Sequence, residues 1–300
     1  MKKVLVICGP TASGKTALAV ECAQKLHSEV ISADSMIVYK DLAIGTAKPT
    51  EAEMQGVIHH MVGVVDPKDN FSVSDFERAA LPVIDRLHAE GKIPVVCGGT
   101  GFYINALLFA QGFGKTDADA AVRKRYEAYA EEQGKEALFA LLRERDAQSA
   151  AKLHPNDVKR VIRALEILEV TGEKKSAQAD SYTPRFDYTA VCIDYPREKL
   201  YERIERRVDI MLEQGLIDEV KNLFARGIDE TCQCMQGIGY KEVLAALRNP
   251  SLMPAVADTI KLNTRHYAKR QITFFKKLPG LHNLSPDGNL TEETLQWLQK

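Results

Sequence analysis

The sequence predicts an α/β fold, a parallel sheet flanked by helices, with an all-helical insertion domain. Three observations carry this. Short continuous apolar runs at Val4–Cys8, Glu29–Ser32 and Ile93–Cys97 have the pattern of strands buried on both faces. Helical spacing lies between them, and strand–helix–strand order implies parallel pairing through crossover helices. From Thr116 to Leu153 the chain turns to Ala, Glu, Arg and Lys with no proline. Such side chains lose little freedom in a helix.

In chain order, Gly9–Thr16 is a glycine-punctuated turn, and Ala17–His27 places Leu18, Cys22 and Leu26 at helical spacing. Residues 34–49 form a long loop, too irregular for regular structure. Ser74–Glu90 reads as a helix opened by Ser74, with Glu77 three residues on as a capping box. Tyr103–Ala110 follows as a helix. His154–Asp157 is a break and N-cap signal before a helix to Val170. Residues 171–185 are loop-like, Ala190–Asp194 is a strand, and helical patterns run over Pro196–Ala225 and Met253–Lys277. The organisation is therefore a core over residues 1–115, a helical insertion over 116–186 and core completion over 187–300.

Bulk composition narrows the class. Of 300 residues, 45% are hydrophobic and 27% charged, enough for a core of normal size. Formal net charge is −1, so a nucleic-acid partner would need local basic patches. The six cysteines are scattered. Cys232 and Cys234 are close together, but no second Cys or His pair stands at finger-like spacing. This usage fits a reducing compartment. The apolar run at the N-terminus is shorter than a signal peptide's, and no stretch approaches a membrane span. A cytoplasmic monomer without membrane association is expected.

The strongest motif is Gly9-Pro10-Thr11-Ala12-Ser13-Gly14-Lys15-Thr16, which satisfies G-x-x-x-x-G-K-[ST] between an expected strand and helix. Its glycines let backbone N–H groups converge on phosphate oxygens, and the helix N-terminus adds positive dipole. Lys15 brings a point charge and Thr16 a hydroxyl for Mg²⁺. This makes the expected sheet P-loop NTPase-like. A phosphate loop alone leaves the reaction open, and a small kinase is its ordinary owner. No carboxylate ends the strand at Cys97, where a Walker B Asp would sit.

Four further segments bear on chemistry. Asp34 follows the second strand and should face the phosphate loop, either as metal ligand and general base or as a turn cap. Gly98-Gly99-Thr100-Gly101 lets backbone approach a ligand and offers the Thr100 hydroxyl, or is a plain turn. Lys159, Arg160 and Arg163 lie off the apolar stripe of Val161, Leu165 and Leu168, as solvated charge or as phosphate contacts. Between Thr259 and Pro286 no acidic residue occurs, while Lys261, Arg265, Lys269, Arg270, Lys276 and Lys277 do. That asymmetry points to a polyanion or to a solvated face. Phe274 and Phe275 read as core rather than as a base-stacking platform.

In this order, GPTASGKT (9–16), DSMIVYKDLAIGTAKP (34–49), GGTGFY (98–103), HPNDVKRVIRALEI (154–167), GIGYKE (237–242) and RHYAKRQITFFK (265–276) resemble the bacterial tRNA dimethylallyltransferases over nearly the whole chain. The resemblance implies a phosphate loop that holds dimethylallyl diphosphate with Mg²⁺, the metal lying at Thr16 and Asp34. Asp34 would match the family's general base, Thr100 and Lys15 residues at the reacting centre. The tRNA anticodon stem-loop would meet Asp34, Ser35, Met36, Ile37, Thr100, Arg123 and Lys159, Arg160, Val161, Ile162, Arg163. It would also meet Gln236, Gly237, Ile238, Gly239, Tyr240 and Lys241. Many members carry Gln where this chain has Ile37. Eukaryotic relatives add a C-terminal zinc finger that is not seen before Lys300. The competing readings are an isopentenyltransferase of free adenine nucleotides, a P-loop kinase and a non-catalytic RNA-binding switch protein.

Overall fold

The structure, a computed structural model, describes residues 2–109, 119–177 and 183–300. The chain divides into two compact units, Met1–Leu108 with Pro184–Lys300, and Phe109–Thr183. The change expected at Thr116 lies outside the described residues.

The first unit begins β1 (Lys3–Cys8), α1 (Lys15–Lys25), β2 (Val30–Ser32), α2 (Glu51–Met54), β3 (His59–His60), α3 (Val73–Ala89), β4 (Val95–Gly98) and α4 (Gly101–Leu108). The second unit holds α5 (Ala120–Gln133), α6 (Lys135–Arg145), α7 (Ala147–Ala150) and α8 (Val158–Thr171). The chain then returns through β5 (Asp187–Ile193), α9 (Arg197–Glu213), α10 (Leu216–Ala225), α11 (Tyr240–Arg248), α12 (Val256–Phe275), β6 (Leu281–Leu284) and α13 (Leu290–Gln299).

The sheet runs β3-β2-β4-β1-β5-β6, with every pair parallel. Val4, Leu5, Val6 and Ile7 are all fully buried, so β1 is covered on both faces, as its unbroken apolar run requires. Ile7 and Ser32 both stand opposite Cys97. The carboxyl ends of β1, β2 and β4 therefore lie side by side, where ligands of open parallel sheets bind.

Several local expectations are corrected. The cap of α3 is Ser72, whose side chain accepts from Asp75 N while Asp75 reaches back to Ser72 N. Glu77 instead pairs with Arg185. The pattern over Pro196–Ala225 breaks at Gly215, whose φ of 100° admits glycine at little cost and turns the chain between α9 and α10. The Met253–Lys277 pattern opens as a 3₁₀ turn over Pro250–Ala255, and α12 proper starts at Val256. The short strands β3 and β6, and helices α11 and α13, were not expected.

In the second unit, Val122, Tyr126, Leu138, Leu142, Val161 and Leu165 form a core of their own. Glu166 is fully buried among them. It accepts from Asp119 N at 2.8 Å, Arg123 Nε at 2.9 Å and Arg163 Nη1 at 2.7 Å. Those donors hold its carboxyl below the usual range although burial alone would raise it. All six cysteines are free thiols. No helix among the described residues is long and apolar enough to cross a membrane.

Candidate active site

A cavity of about 350 Å³ opens over the carboxyl ends of β1, β2 and β4. Thr11, Ala12, Lys15, Thr16, Asp34, Ser35, Met36, Ile37 and Gly98 line it from the turns after these strands. Gly45–Ala47, Gln236–Gly239 and Lys241 line it from loops, and α9 and α12 close it with Arg207, Val208, Met211, Ile260, Tyr267, Arg270 and Gln271.

The phosphate loop is wound as its sequence demands. Gly9 (φ 134°) and Gly14 (φ 89°) take backbone angles that disfavour side chains, and Gly14 caps α1. A Cβ on Gly9 would stand 2.8 Å from Cys192 Sγ on the adjacent strand. The buried Ser13 hydroxyl has no hydrogen-bond partner among the described residues. Lys15 Nζ donates to Pro10 O at 3.2 Å. Burial lowers the Lys15 pKa, and an anion bound at the loop would relieve that cost.

Two arginines that the sequence reading passed over brace this loop from α9. Arg203 Nε donates to Ala12 O at 2.8 Å, and Arg207 Nη1 to Thr11 Oγ1 at 3.4 Å. Burial pulls the Arg207 pKa below its ordinary value, opposed by the Asp34 charge. The i, i+4 spacing of these arginines was visible, but it does not distinguish a ligand-facing pair from solvated charge.

Asp34 sits where the end of β2 turns. Its Oδ1 accepts from Met36 N at 2.9 Å and Ile37 N at 3.3 Å. Thr100 Oγ1 accepts from Ser35 N at 3.0 Å and donates to Ser35 Oγ at 3.3 Å, which ties the turns after β2 and β4 together. From α12, Gln271 joins the turn after β4 to the turn after β1. Its Oε1 accepts from Thr11 N and its Nε2 donates to Gly99 O, each at 2.9 Å. The Tyr267 hydroxyl meets Thr100 and Gln271, and burial raises its pKa. Behind the Gly45 loop, Glu219 accepts from Ala43, Ile44 and Gly45 N at 3.0, 2.9 and 3.2 Å and from Tyr240 OH at 2.5 Å. One carboxylate thus holds the backbone of residues 43–45, where the loop enters the cavity wall.

Other residues singled out from sequence fall elsewhere. Val161 and Ile162 are buried in the second unit, and Tyr240 is buried beneath the Gly45 loop, so these side chains are closed to a ligand. Lys159 and Arg160 are exposed. Arg123 and Arg163 lie on Glu166. Cys234 is buried, its thiol on Pro67 O, and no cluster of three metal-binding side chains occurs among the described residues.

Comparison with known proteins places the chain in a family. The profile of the IPP transferase family matches residues 37–278, and that of isopentenyl transferase matches residues 2–64. A tRNA dimethylallyltransferase of Acetivibrio thermocellus is 45% identical over 290 residues, covering 96% of this chain and 93% of the relative. One from Bacillus cereus strain G9842 is 42% identical over 99% of this chain and 95% of the relative. Among solved structures, the full-length tRNA isopentenylpyrophosphate transferase of Bacillus halodurans superimposes with a TM-score of 0.74 at 41% identity, covering 100% of this chain and 95% of that one. A eukaryotic dimethylallyltransferase acting on tRNA gives 0.82 at 32% identity, over 98% of this chain and 78% of that one.

Proposed function

This chain belongs to the IPP transferase family and is a prenyl transferase of tRNA; we propose that it moves a dimethylallyl group from dimethylallyl diphosphate to N6 of adenosine 37, in tRNAs reading codons that start with U, in the cytoplasm. The products are N6-(dimethylallyl)adenosine and diphosphate. The observation that carries this reading is that one cavity is lined by the phosphate loop with Lys15, by Arg207, by Asp34 and by the apolar side chains of Ile204, Val208, Met211 and Ile260.

The donor diphosphate lies against the phosphate loop, Gly9–Thr16, where N–H groups, Lys15 and Arg207 take up the charge that grows as the allylic C–O bond breaks. Thr16 and Asp34 suit Mg²⁺, since it prefers oxygen ligands and keeps waters and substrate phosphates as the remainder. The unpartnered Ser13 hydroxyl adds a donor for the same anion. When bound, the ion supplies further neutralisation of the leaving diphosphate. Ile204, Val208, Met211 and Ile260 cover the five-carbon chain and keep water from the reacting carbon. Adenine N6 is a weak nucleophile, so placement against that carbon matters most. As the N–C bond forms, the Asp34 carboxylate takes the N6 proton, and Thr100 holds the Asp34–Ser35 turn in place. An adenosine inside a folded RNA reaches such a cavity only when turned out of its stack. Residues 34–37, 236–239 and 241 line the cavity and are placed to meet the RNA around that adenosine. On the helical insertion itself, exposed Lys159 and Arg160, with Arg123 and Arg163 beside Glu166, would meet tRNA phosphates.

Transfer of radiolabelled dimethylallyl to an unmodified anticodon stem-loop containing A36-A37-A38 tests this. Label should enter the RNA and not AMP. Label entering AMP alone would assign a free-nucleotide enzyme, and ATP consumption without label transfer would restore the kinase.

A further inference from the structure

The cations of α12 fall into two groups. Lys261 Nζ lies 2.6 Å from Asp209, and Arg265 meets Glu205, so α9 neutralises the first half of the helix. Lys269, Arg270, Lys276 and Lys277 are exposed and meet no carboxylate among the described residues. Tyr267, Arg270 and Phe274 step along one face at helical spacing. Tyr267 and Arg270 line the cavity. Phe274 lies roughly 10 Å beyond Tyr267 along the axis, outside it.

Phe274 is held rather than loose. Its ring meets buried Phe275 edge-on at 5.7 Å and covers Gly101 so closely that a Cβ there would stand 2.2 Å from it. Against Phe274, at 5.3 Å and 66°, stands Phe102. Phe102 is 56% exposed, an apolar ring facing water two residues from Thr100. Phe274, itself backed by Phe275, stands behind it, and Arg270 and Lys277, four and three residues from Phe274, bring positive charge to the same side of α12, whereas Lys276 lines the cleft of Pro10 and Asp194.

We propose that Phe102, backed by Phe274, is a stacking ledge for the nucleobase next to the acceptor adenine, with Arg270 and Lys277 meeting the adjoining phosphates. This rests on the tRNA reading above and adds a subsite to it. When one base enters the cavity, its neighbour loses a stacking partner. A rigid, exposed aromatic ring restores that contact for any base, because every base offers a π-face. An exposed lysine beside such a ring, here Lys277, is the arrangement expected for single-stranded RNA and not for a protein partner, whose interface cores are depleted in lysine.

The test uses the full chain and anticodon stem-loops carrying 2-aminopurine at position 36 or 38. With the wild type, fluorescence at one of these positions should be quenched on binding. Phe102→Ala should abolish the quench and raise KM for RNA about tenfold, while calorimetry shows dimethylallyl diphosphate bound as before. Phe102→Trp should restore both. Lys277→Ala should make the slope of log affinity against log salt shallower by about 0.7, one single-strand phosphate's worth. Full RNA affinity in Phe102→Ala would overturn the proposal, as would complete rescue by Phe102→Leu, which is apolar but cannot stack. Binding to phosphatidylserine vesicles that Phe102→Ala abolishes, with RNA binding unchanged, would assign the ledge to a lipid surface and overturn it too. If the wild type transfers no label to RNA, the tRNA reading itself fails and takes this inference with it.

Discussion

Asp34 divides its work between two oxygens. Oδ1 caps the turn through Met36 and Ile37 N–H, and the carboxylate as a whole lines the cavity. Asparagine keeps the accepting Oδ1 but cannot take a proton. Asp34→Asn should therefore leave RNA affinity intact and lower kcat by 10²-fold or more, read by single-turnover transfer. An equal loss of RNA binding would mean the turn, not the proton, was disturbed. Capping and general base, set against each other from sequence, are compatible in one side chain. Arg207 makes the complementary case at the diphosphate end. Arg207→Gln should weaken donor binding by roughly 10- to 100-fold, the worth of one charge-assisted hydrogen bond, in a calorimetric titration. Lys15 was recognisable because a local pattern defines its loop, whereas Arg207 reaches the same place from about 190 residues away along the chain.

At the scale of elements, the site depends on how closely three turns approach one another. A Cβ at Gly98 would lie 2.1 Å from the backbone oxygen of Ala33. Backbone cannot rotate aside as a side chain can. Gly98→Ala should push β4 from β2 at the end bearing Asp34 and Thr100, costing about 1–3 kcal/mol in urea unfolding along with most activity. Gln271→Leu should leave Thr11 N–H and Gly99 C=O without their partner, at about 1–3 kcal/mol each. The same unfolding measurement should show it, together with a raised KM for the donor. Sequence identified the glycine pair as a place of close approach but not what approaches. The α3 cap shows the same limit. Ser72/Asp75 and Ser74/Glu77 both satisfy the capping pattern, and the pairing of Glu77 with Arg185, 108 residues on, distinguishes them.

For the whole molecule, Glu29 shows how distant elements are tied by charge. Arg86 of α3 lies 2.5 Å from its carboxylate and His60 of β3 lies 2.6 Å away. The Arg86 hydrogen bond, aided by His60 and opposed by burial, takes the Glu29 pKa from its ordinary 4.5 to about 2. A depressed carboxylate contributes stability that is complete above about pH 4.5 and is lost as pH falls towards 2. Thermal melts should place Glu29→Gln below the wild type at neutral pH, with the gap closing across that window. A constant gap would assign the effect to packing.

Sequence by itself determined the strands β1, β2 and β4, the phosphate loop, the helical character of the insertion and the family resemblance. These rest on local signals: continuous apolar runs, a fixed glycine spacing, and composition. Tertiary structure alone decided the order β3-β2-β4-β1-β5-β6, the break between α9 and α10, and which cations face a ligand. Lys261 and Arg265 read from sequence as equals of Lys276 and Lys277. They differ only because α9 carries Asp209 and Glu205 opposite them. The physical reason is general. Backbone propensity and periodicity act within a few residues, whereas the energy of a charge depends on what folding places within a few ångströms of it.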